Sequence, residues 1–214
     1  MATELTLIGG GGHALVVARS AVRAGAVGRG VVGLRVLDDD PACVAVARLG
    51  LPWAGKIEAG LIPAGSQGSA AAILCVGTLA TRARIIEAIG GRARWVSVVD
   101  PSAMVDVASG VLGVGTYVGA QAVVQPLAVV GAHCIINTGA IVEHECELGE
   151  NVHVAPGCVM GGNVRVGSGT LLGLGSRILP GIRVGRGCTV GAGAIVTRDV
   201  PDGATVVGVP ARAR

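Results

Sequence analysis

Residues 112–148 read LGVGTYVGAQAVVQPLAVVGAHCIINTGAIVEHECEL, and every sixth residue, beginning with Leu112, is aliphatic. The pattern continues without a slip to Val196, which makes fifteen consecutive six-residue units. A small or branched residue stands four positions after each aliphatic residue, and a glycine commonly follows it directly, as Gly113 does. A six-residue repeat of this kind is typical of a parallel β-helix, in which short strands turn at glycine-rich corners around a stacked aliphatic core.

The composition fits such a core and excludes several classes of protein. The 214-residue chain is 51% hydrophobic but contains no Phe, one Tyr and two Trp, so Val, Ala, Leu and Ile must fill its interior. The net charge is +3, and no basic stripe with interleaved aromatic residues indicates nucleic-acid binding. No apolar run approaches the roughly 18 residues that span a bilayer. We therefore predict no membrane insertion and, because the N-terminus does not resemble a signal peptide, a cytoplasmic protein.

The six cysteines and four histidines do not predict a metal site. The sequence has no CxxC pair, and four cysteines occupy the inward position four residues after an aliphatic residue: Cys134, Cys146, Cys158 and Cys188. These are expected to be small buried hydrophobic side chains. The three histidines of the repeat region are spaced by eleven and nine residues, which does not superpose on an 18-residue coil.

Residues 1–100 follow a different pattern, in which apolar strands alternate with helices. The predicted strands are Leu5–Ile8, Val31–Leu37, Ala71–Val76 and Trp95–Val99, and the predicted helices are His13–Ala24 and Thr81–Ile89. This order favours a small parallel α/β domain resembling half of a Rossmann fold. The β-helix domain is then predicted over residues 101–214, with a short tail from Gly203 that leaves the repeat register.

A glycine-rich loop opens the first predicted helix. The loop comprises residues 9–12, follows a strand and is followed by His13, while Asp38 and Asp39 end the next strand. Helix N-termini attract phosphate, and carboxylates accept hydrogen bonds from ribose hydroxyls or base N–H groups. The arrangement predicts a nucleotide site in a domain too short for a complete dinucleotide fold.

His144 stands at a corner of the repeat, two residues after the inward Val142 and between Glu143 and Glu145, where Gly, Asn or Asp is usual. Glu145 could hold one ring nitrogen and leave the other to take a proton, so we favour a catalytic role over a solvated polar turn. His153 lies half a coil away and projects outward from a flat face. Within one chain the two rings should point in different directions, so they could share a site only across a subunit contact.

Four features together resemble the bacterial hexapeptide-repeat sugar acyltransferases. They are the strand, glycine loop and histidine of the N-terminus, Gly77 after the third strand, the segment 137–149, and the closing Gly-Val-Pro-Ala of residues 208–211. Within these enzymes the chain resembles the sialic-acid O-acetyltransferase family, which includes UDP-N-acetylbacillosamine and GDP-perosamine N-acetyltransferases. The resemblance implies a left-handed β-helix, a homotrimer, acetyl-CoA bound between neighbouring coils, and a role in glycan biosynthesis.

The resemblance also implies site residues. In the β-helix, His144 matches the general base and Glu145 the acid that supports it, whereas His153 matches a residue near the acetyl group. Further coenzyme-contacting positions align with Gly162, Leu174 and Ala192, the last of which replaces a glycine.

In the N-terminal domain, the resemblance implies that Gly11, Gly12 and His13 contact the phosphates and the sugar. It implies that Asp38 and Asp39 lie near the base and ribose, and that Gly77, in the loop after the third strand, makes a further contact. A third acid, Asp40, follows directly, so the sequence leaves open which two of the three contact substrate.

The expected function is acetyl-CoA-dependent N-acetylation of a nucleotide-linked amino sugar by direct attack, with no metal. UDP is favoured over GDP as the nucleotide by a small margin. Two alternatives stay open on sequence alone: O-acetylation of a sugar hydroxyl such as that of a sialic acid, and non-catalytic binding of a nucleotide sugar.

Overall fold

A computed structural model of the chain describes residues 3–25, 31–57, 71–106 and 110–214. They form two compact units, Met1–Pro101 and Ser102–Arg214. The first is an α/β unit and the second is a left-handed parallel β-helix, which confirms the predicted fold class.

The α/β unit contains a five-stranded parallel sheet in the order β3-β2-β1-β4-β5. Its elements are β1 (Thr3–Ile8), α1 (Gly12–Arg23), β2 (Val31–Leu37), α2 (Val44–Leu49), β3 (Trp53–Gly55), β4 (Ala71–Leu74), α3 (Leu79–Ile89), a 3-10 turn (Gly90–Arg92), β5 (Arg94–Trp95) and β6 (Val98–Val99). The predicted strand at residues 95–99 is two short strands instead of one. The sequence also gave no indication of α2 or β3.

The strand order reverses between β1 and β4, which are neighbours in the sheet. In open parallel sheets, ligands bind at this kind of switch point, outside the carboxyl ends of the strands. The loops that follow β1, β2 and β4 all leave this edge. The edge therefore brings together the glycine loop, the run of three acids at Asp38 and the loop around Gly77.

The β-helix is built from two-residue strands that stack into three flat faces. The strands are β7 (Met104–Val105), β8 (Val111–Leu112), β9 (Tyr117–Val118), β10 (Val123–Val124), β11 (Val129–Val130), β12 (Ile135–Ile136), β13 (Ile141–Val142), β14 (Glu147–Leu148), β15 (His153–Val154), β16 (Val159–Met160), β17 (Arg165–Val166), β18 (Leu171–Leu172), β19 (Arg177–Ile178), β20 (Arg183–Val184), β21 (Thr189–Val190) and β22 (Ile195–Val196).

Every third strand belongs to the same face. Face 1 contains β7, β10, β13, β16, β19 and β22, and face 2 contains β8, β11, β14, β17 and β20. Face 3 runs through β9, β12, β15, β18 and β21 to β23 (Thr205–Val207) and the antiparallel β24 (Arg212–Ala213). From β8 to β22, paired residues in successive coils are eighteen positions apart, as Val124 and Val142 are, whereas Met104 and Val123 in the first coil are nineteen apart. The second residue of each strand from β9 to β22 points inward and is almost fully buried.

Two sets of corner residues meet different steric demands. The left-handed backbone conformation recurs every sixth residue from Gly115 to Gly193, two positions after the glycines that the sequence pattern emphasised. Those earlier glycines instead lie against the next coil: a Cβ on Gly113 would be 2.4 Å from the backbone nitrogen of Ala132, and one on Gly173 would be 2.5 Å from the carbonyl oxygen of Val190. They are required for close approach of coils, and only the later set makes the turn.

Inward hydroxyls and thiols satisfy corner carbonyl groups. Thr170 Oγ1 donates to the carbonyl of Gly185 at 2.7 Å and accepts from the amide of Cys188 at 3.1 Å. The Sγ atoms of Cys134 and Cys146 lie 3.1 and 3.2 Å from the corresponding glycine carbonyl oxygens of the next coil. All six cysteines lie within the described residues and each is a buried thiol, as expected for the four in the repeats.

The register changes earlier than the sequence predicted. Val184 pairs with Val200 and Thr189 with Thr205, so the last coil is two residues shorter than the eighteen-residue coils before it. The two residues are lost at the corner after Val196, where Asp199 Oδ1 accepts the amide of Arg183 at 2.8 Å. The tail from Gly203 continues face 3 in this shifted register, because β23 pairs with β21.

Replacing Thr170 with Val should lower the free energy of unfolding by about 1–3 kcal/mol, because the isosteric side chain leaves the half-buried carbonyl of Gly185 and the buried amide of Cys188 without this partner. Thr189, whose side chain is on the outer surface of face 3, provides the control: Thr189→Val should change stability by less than about 0.5 kcal/mol. Urea unfolding followed by circular dichroism measures both. Equal stability of the two variants would contradict a structural role for the inward hydroxyl.

Candidate functional site

His144 and Glu145 form an exposed pair at the corner between faces 1 and 2. The Nδ1 atom of His144 lies 2.9 Å from Oε2 of Glu145, and more than half of each side chain is solvent-accessible. A carboxylate only accepts, so Nδ1 carries the proton of the neutral ring and Nε2 presents a lone pair. Nε2 has no hydrogen-bond partner among the residues that the structure describes. The corner therefore holds an oriented imidazole with one nitrogen open to accept a proton.

Two backbone features fix this pair. Glu145 occupies the left-handed corner position with φ of 60°, where Gly or Asn is the usual residue. In the next coil, Gly162 lies directly against the imidazole: a Cβ there would be 2.5 Å from Cε1 and 2.6 Å from Nε2 of His144. A glycine at this position gives the ring its room. Gly162, expected from the resemblance to contact coenzyme, thus has a steric role that the sequence did not indicate.

His153 lies on the far side of the β-helix from His144. It is the outward residue of β15 on face 3, whereas His144 is at the corner opposite that face. Its Nε2 is 3.3 Å from Nδ2 of Asn137. The Asn137 amide is oriented because its Oδ1 accepts the amide of Thr138 at 2.8 Å, so Nδ2 donates and Nε2 of His153 accepts. The sequence did not single out Asn137 as a site residue.

The remaining predicted coenzyme positions fall on a second corner. Leu174 and Ala192 are stacked at the corner between faces 3 and 1, and Gly193 donates its amide to the carbonyl of Leu174 at 2.8 Å. Leu174 is 58% exposed, which is high for a leucine. The structure thus places Leu174, Ala192 and His153 on one side of the β-helix, and His144 with Gly162 on another.

In the α/β unit, the predicted residues lie on the three loops at the switch point. Gly11 is the N-cap of α1 and has no side chain with which to cap it, and no acidic residue occupies the first turn. A Cβ on Gly11, Gly12 or Gly77 would meet nothing within 4 Å, so their backbones are accessible. His13 is half-buried in the first turn of α1. Exposed amides at a helix N-terminus are suited to an anion.

The three consecutive acids have different surroundings. Asp38 is fully engaged by the backbone: its Oδ2 accepts the amide of Gly10 at 2.6 Å and its Oδ1 that of Asp40 at 2.9 Å. Asp40 Oδ1 accepts the amide of Ala42. Asp39 Oδ1 accepts the amide of Ile57, and the residue lines a cavity of about 310 Å³ whose wall includes Val76, Arg84 and Ile85. Asp38 therefore fixes the glycine loop, and Asp39 faces the cavity.

A larger groove of about 900 Å³ lies along face 2, lined by Arg165, Arg183 and Arg186 together with Glu147 and Asp199. It contains none of the residues predicted from sequence. Arg165 and Glu147 pair at 3.4 Å, and the acids of the last coil bond to backbone amides, so charges of both signs line this groove.

Three of the buried thiols, those of Cys75, Cys146 and Cys158, have a raised pKa. Burial raises the pKa of Cys158 to about 11 and that of Cys75 to about 12. Cys146, two residues from His144, also has a raised pKa because it is buried. Among the described residues, no group of three or more His, Cys, Asp or Glu side chains is arranged to hold a metal ion, and no helix is long and apolar enough to cross a membrane.

Gly162→Ala should lower turnover about 10- to 100-fold, because the added methyl group would displace the His144 ring from its position against residue 162. Steady-state kinetics on the folded variant measure this. Gly33→Ala, at a position where a Cβ meets nothing within 4 Å, is the control for a generic glycine substitution. Full activity of Gly162→Ala would show that the ring position does not matter.

Family models and solved structures agree on the nature of the chain. Residues 127–162 match the bacterial transferase hexapeptide (six repeats), and residues 163–198 match the hexapeptide repeat of succinyl-transferase. No curated protein sequence gives a significant match.

Three solved structures superpose on nearly the whole chain. A histidine mutant of perosamine N-acetyltransferase from Caulobacter crescentus, in complex with CoA and GDP-perosamine, is 33% identical with a TM-score of 0.88 and covers 100% of this chain and 98% of its own. The acetyltransferase domain of PglB from Neisseria gonorrhoeae, in complex with acetyl coenzyme A, is 34% identical with a TM-score of 0.89 and 100% coverage of both chains. WeeI from Acinetobacter baumannii is 21% identical with a TM-score of 0.85, covers 99% of this chain and 100% of its own, and supports the fold alone.

Identity above 30% over the full length, together with two matches to hexapeptide models, establishes the relationship that the sequence features indicated. The chain belongs to the hexapeptide-repeat sugar acyltransferase family.

Proposed function

We propose that this protein is an acetyl-CoA-dependent N-acetyltransferase that acts on a nucleotide-linked amino sugar. The observation that carries the proposal is the exposed His144–Glu145 pair, in a chain similar over its full length to a perosamine N-acetyltransferase that binds CoA and GDP-perosamine. The amine acceptor is favoured because the perosamine enzyme, which is 33% identical to this chain, is an N-acetyltransferase.

His144 is the general base of the proposed reaction. Its Nε2 accepts a proton from the sugar amine as the amine nitrogen forms a bond to the thioester carbonyl carbon. The tetrahedral intermediate then collapses, the carbon–sulfur bond breaks, and the proton held by His144 passes to the departing thiolate. Glu145 keeps Nδ1 protonated and so keeps the correct tautomer while the ring becomes an imidazolium. Backbone amides near the corners are candidates for stabilising the oxyanion.

Direct transfer is preferred over an acyl-enzyme intermediate. Cys146 is the thiol closest in sequence to His144, but it is buried within the coil and its Sγ lies 3.2 Å from the carbonyl oxygen of Gly161. Because burial raises its pKa, the reactive thiolate is disfavoured. The two substrates are therefore expected to be bound together when the acetyl group is transferred.

The nucleotide is assigned to the switch-point edge of the α/β unit. The accessible backbones of Gly11, Gly12 and Gly77 and the N-terminus of α1 suit the phosphates. Asp39 faces the adjacent cavity and is the acid best placed to accept a hydrogen bond from base or ribose.

A homotrimer is part of the proposal. His144 and His153 lie on opposite sides of one β-helix, so a site that uses both must draw them from two protomers. Face 1 supports a subunit contact, because its outward residues are largely aliphatic and half-buried: Val123, Ile141, Val159 and Ile195. The acetyl-CoA positions at Leu174 and Ala192 would then belong to one protomer and His144 to its neighbour.

A competition assay tests the function. We expect thiol release from acetyl-CoA with UDP- or GDP-linked amino sugars and little with free sialic acid, and His144→Ala should lower turnover about 10² to 10⁴-fold with acetyl-CoA affinity retained. Product mass spectrometry distinguishes amide from ester. O-acetylation of sialic acid as the faster reaction would replace this function with the alternative, and binding of nucleotide sugar without thiol release would indicate a non-catalytic protein.

Mixing two inactive variants tests the shared site. His144→Ala and His153→Ala protomers, unfolded together and refolded as hybrids, should regain part of the wild-type activity. Some interfaces in the hybrids then combine an intact His144 from one protomer with an intact His153 from its neighbour. Each variant refolded alone is the control. Sedimentation equilibrium that gives a fully active monomer at micromolar concentration would rule out the trimer.

A further inference from the structure

Arg82 is a buried cation in the α/β unit that the proposed chemistry does not use. It lies in the first turn of α3 and is only 1% exposed. Its Nη1 atom donates to the carbonyl oxygens of Leu74 at 3.2 Å and Val76 at 2.9 Å. Leu74 ends β4, and Val76 immediately precedes Gly77. One side chain thus holds the chain at the point where β4 becomes the switch-point loop.

The segment that Arg82 holds supports the glycine loop in turn. Gly9 has φ of 97°, and a Cβ there would be 2.6 Å from Cγ2 of Val76 and 3.3 Å from the carbonyl carbon of Cys75. The two loops are therefore in close contact at their bases. Val76 also packs against the apolar cluster that contains Leu74 and Ile89, and it lines the cavity beside Asp39. A displacement of Val76 would reach both loops and the cavity.

Burying a guanidinium carries a large desolvation penalty, and an aliphatic side chain of similar volume commonly stabilises a core as well or better. Stability alone therefore does not explain a buried arginine. The guanidinium provides two things that such a residue lacks. It offers several donors in a planar arrangement, and it retains a positive charge at the edge of the sheet. The charge is felt nearby, because it opposes the effect of burial on the pKa of Cys75, although burial dominates and raises that pKa to about 12.

We propose that Arg82 is a positioning residue of the nucleotide-sugar site. It fixes the Val76–Gly77 segment against Gly9, so that both loops are held in the shape that receives the nucleotide, and its buried charge favours a diphosphate at the same edge. It acts through these loops and does not take part in acetyl transfer. This inference rests on the proposed function.

Steady-state kinetics with both substrates varied provide the test. Arg82→Met should raise KM for the nucleotide-linked amino sugar about tenfold or more, while kcat and the KM for acetyl-CoA change less than about twofold. Arg82→Lys, which keeps the charge and some of the donors, should recover part of the loss. The control is Arg48→Met, at an exposed position on α2, which should behave as wild type.

Hydrogen exchange without ligand separates positioning from general instability. In Arg82→Lys, the amides of residues 9–13 and 75–78 should exchange faster while those of β1 and β2 keep their protection. If Arg82→Met does not fold, the kinetics and the hydrogen exchange are both measured on Arg82→Lys.

An unchanged nucleotide-sugar KM in a folded variant overturns the inference while leaving the proposed function intact. A fall in kcat together with a rise in both KM values, with faster hydrogen exchange throughout the α/β unit, would assign Arg82 to folding alone. This result would also overturn the inference. The proposed function is tested separately, with the wild-type protein. If that protein acetylates no nucleotide-linked amino sugar, the proposed function is wrong, a conclusion that results on the Arg82 variants cannot give.

Discussion

The β-helix depends on hydrogen bonds between successive coils. Each strand has only two residues, and a pair of residues cannot form a stable strand on its own. The amide of Ile135 bonds to the carbonyl of Val152, and that of His153 bonds to Thr170, so each coil is completed by the next. Such a structure is stable only as a stack, because each repeat buries its apolar face against its neighbours. The spacing between coils, about 4.8 Å, then limits every side chain that the stack can contain.

This limit explains the unusual composition. Inward residues must fit within a narrow prism, and those of the repeats are mostly Val, Ile, Leu, Ala, Thr and Cys. Where a glycine directly follows the inward aliphatic residue, as Gly113 and Gly173 do, a Cβ would collide with the backbone of the next coil. The same closeness leaves corner carbonyls with no amide opposite them, and Thr170 and Cys146 provide hydroxyl and thiol groups to meet them. The small polar residues inside the helix are therefore part of its hydrogen bonding.

The fold was largely predictable because its signal is local in sequence. The period of six can be read directly from the sequence, and His144 stands out because Glu-His-Glu is an unusual composition for a corner of the repeat. The contact between Asn137 and His153 was not predictable, since it joins residues sixteen positions apart across two coils. The short helix α2 was missed because Ala45 is its one buried residue and no side chain caps its start. Arg82 could not be predicted as a buried residue, because a cation on a helix reads as solvent-exposed, whereas in the structure it is buried and donates to the carbonyl groups of Leu74 and Val76. The binding roles of the site residues stay predictions.

The eighteen-residue register also restricts how such a chain can change in length. Adding or removing a complete coil leaves every other residue on its original face, whereas adding six residues carries all later residues one face further round. A six-residue insertion between Gly162 and Leu174 would move Leu174 and Ala192 from their corner to the next one, and the separation of faces on which the proposed shared site relies would be lost. The β-helix can therefore change in length without moving residues to another face only by a corner loop or by whole coils of eighteen residues.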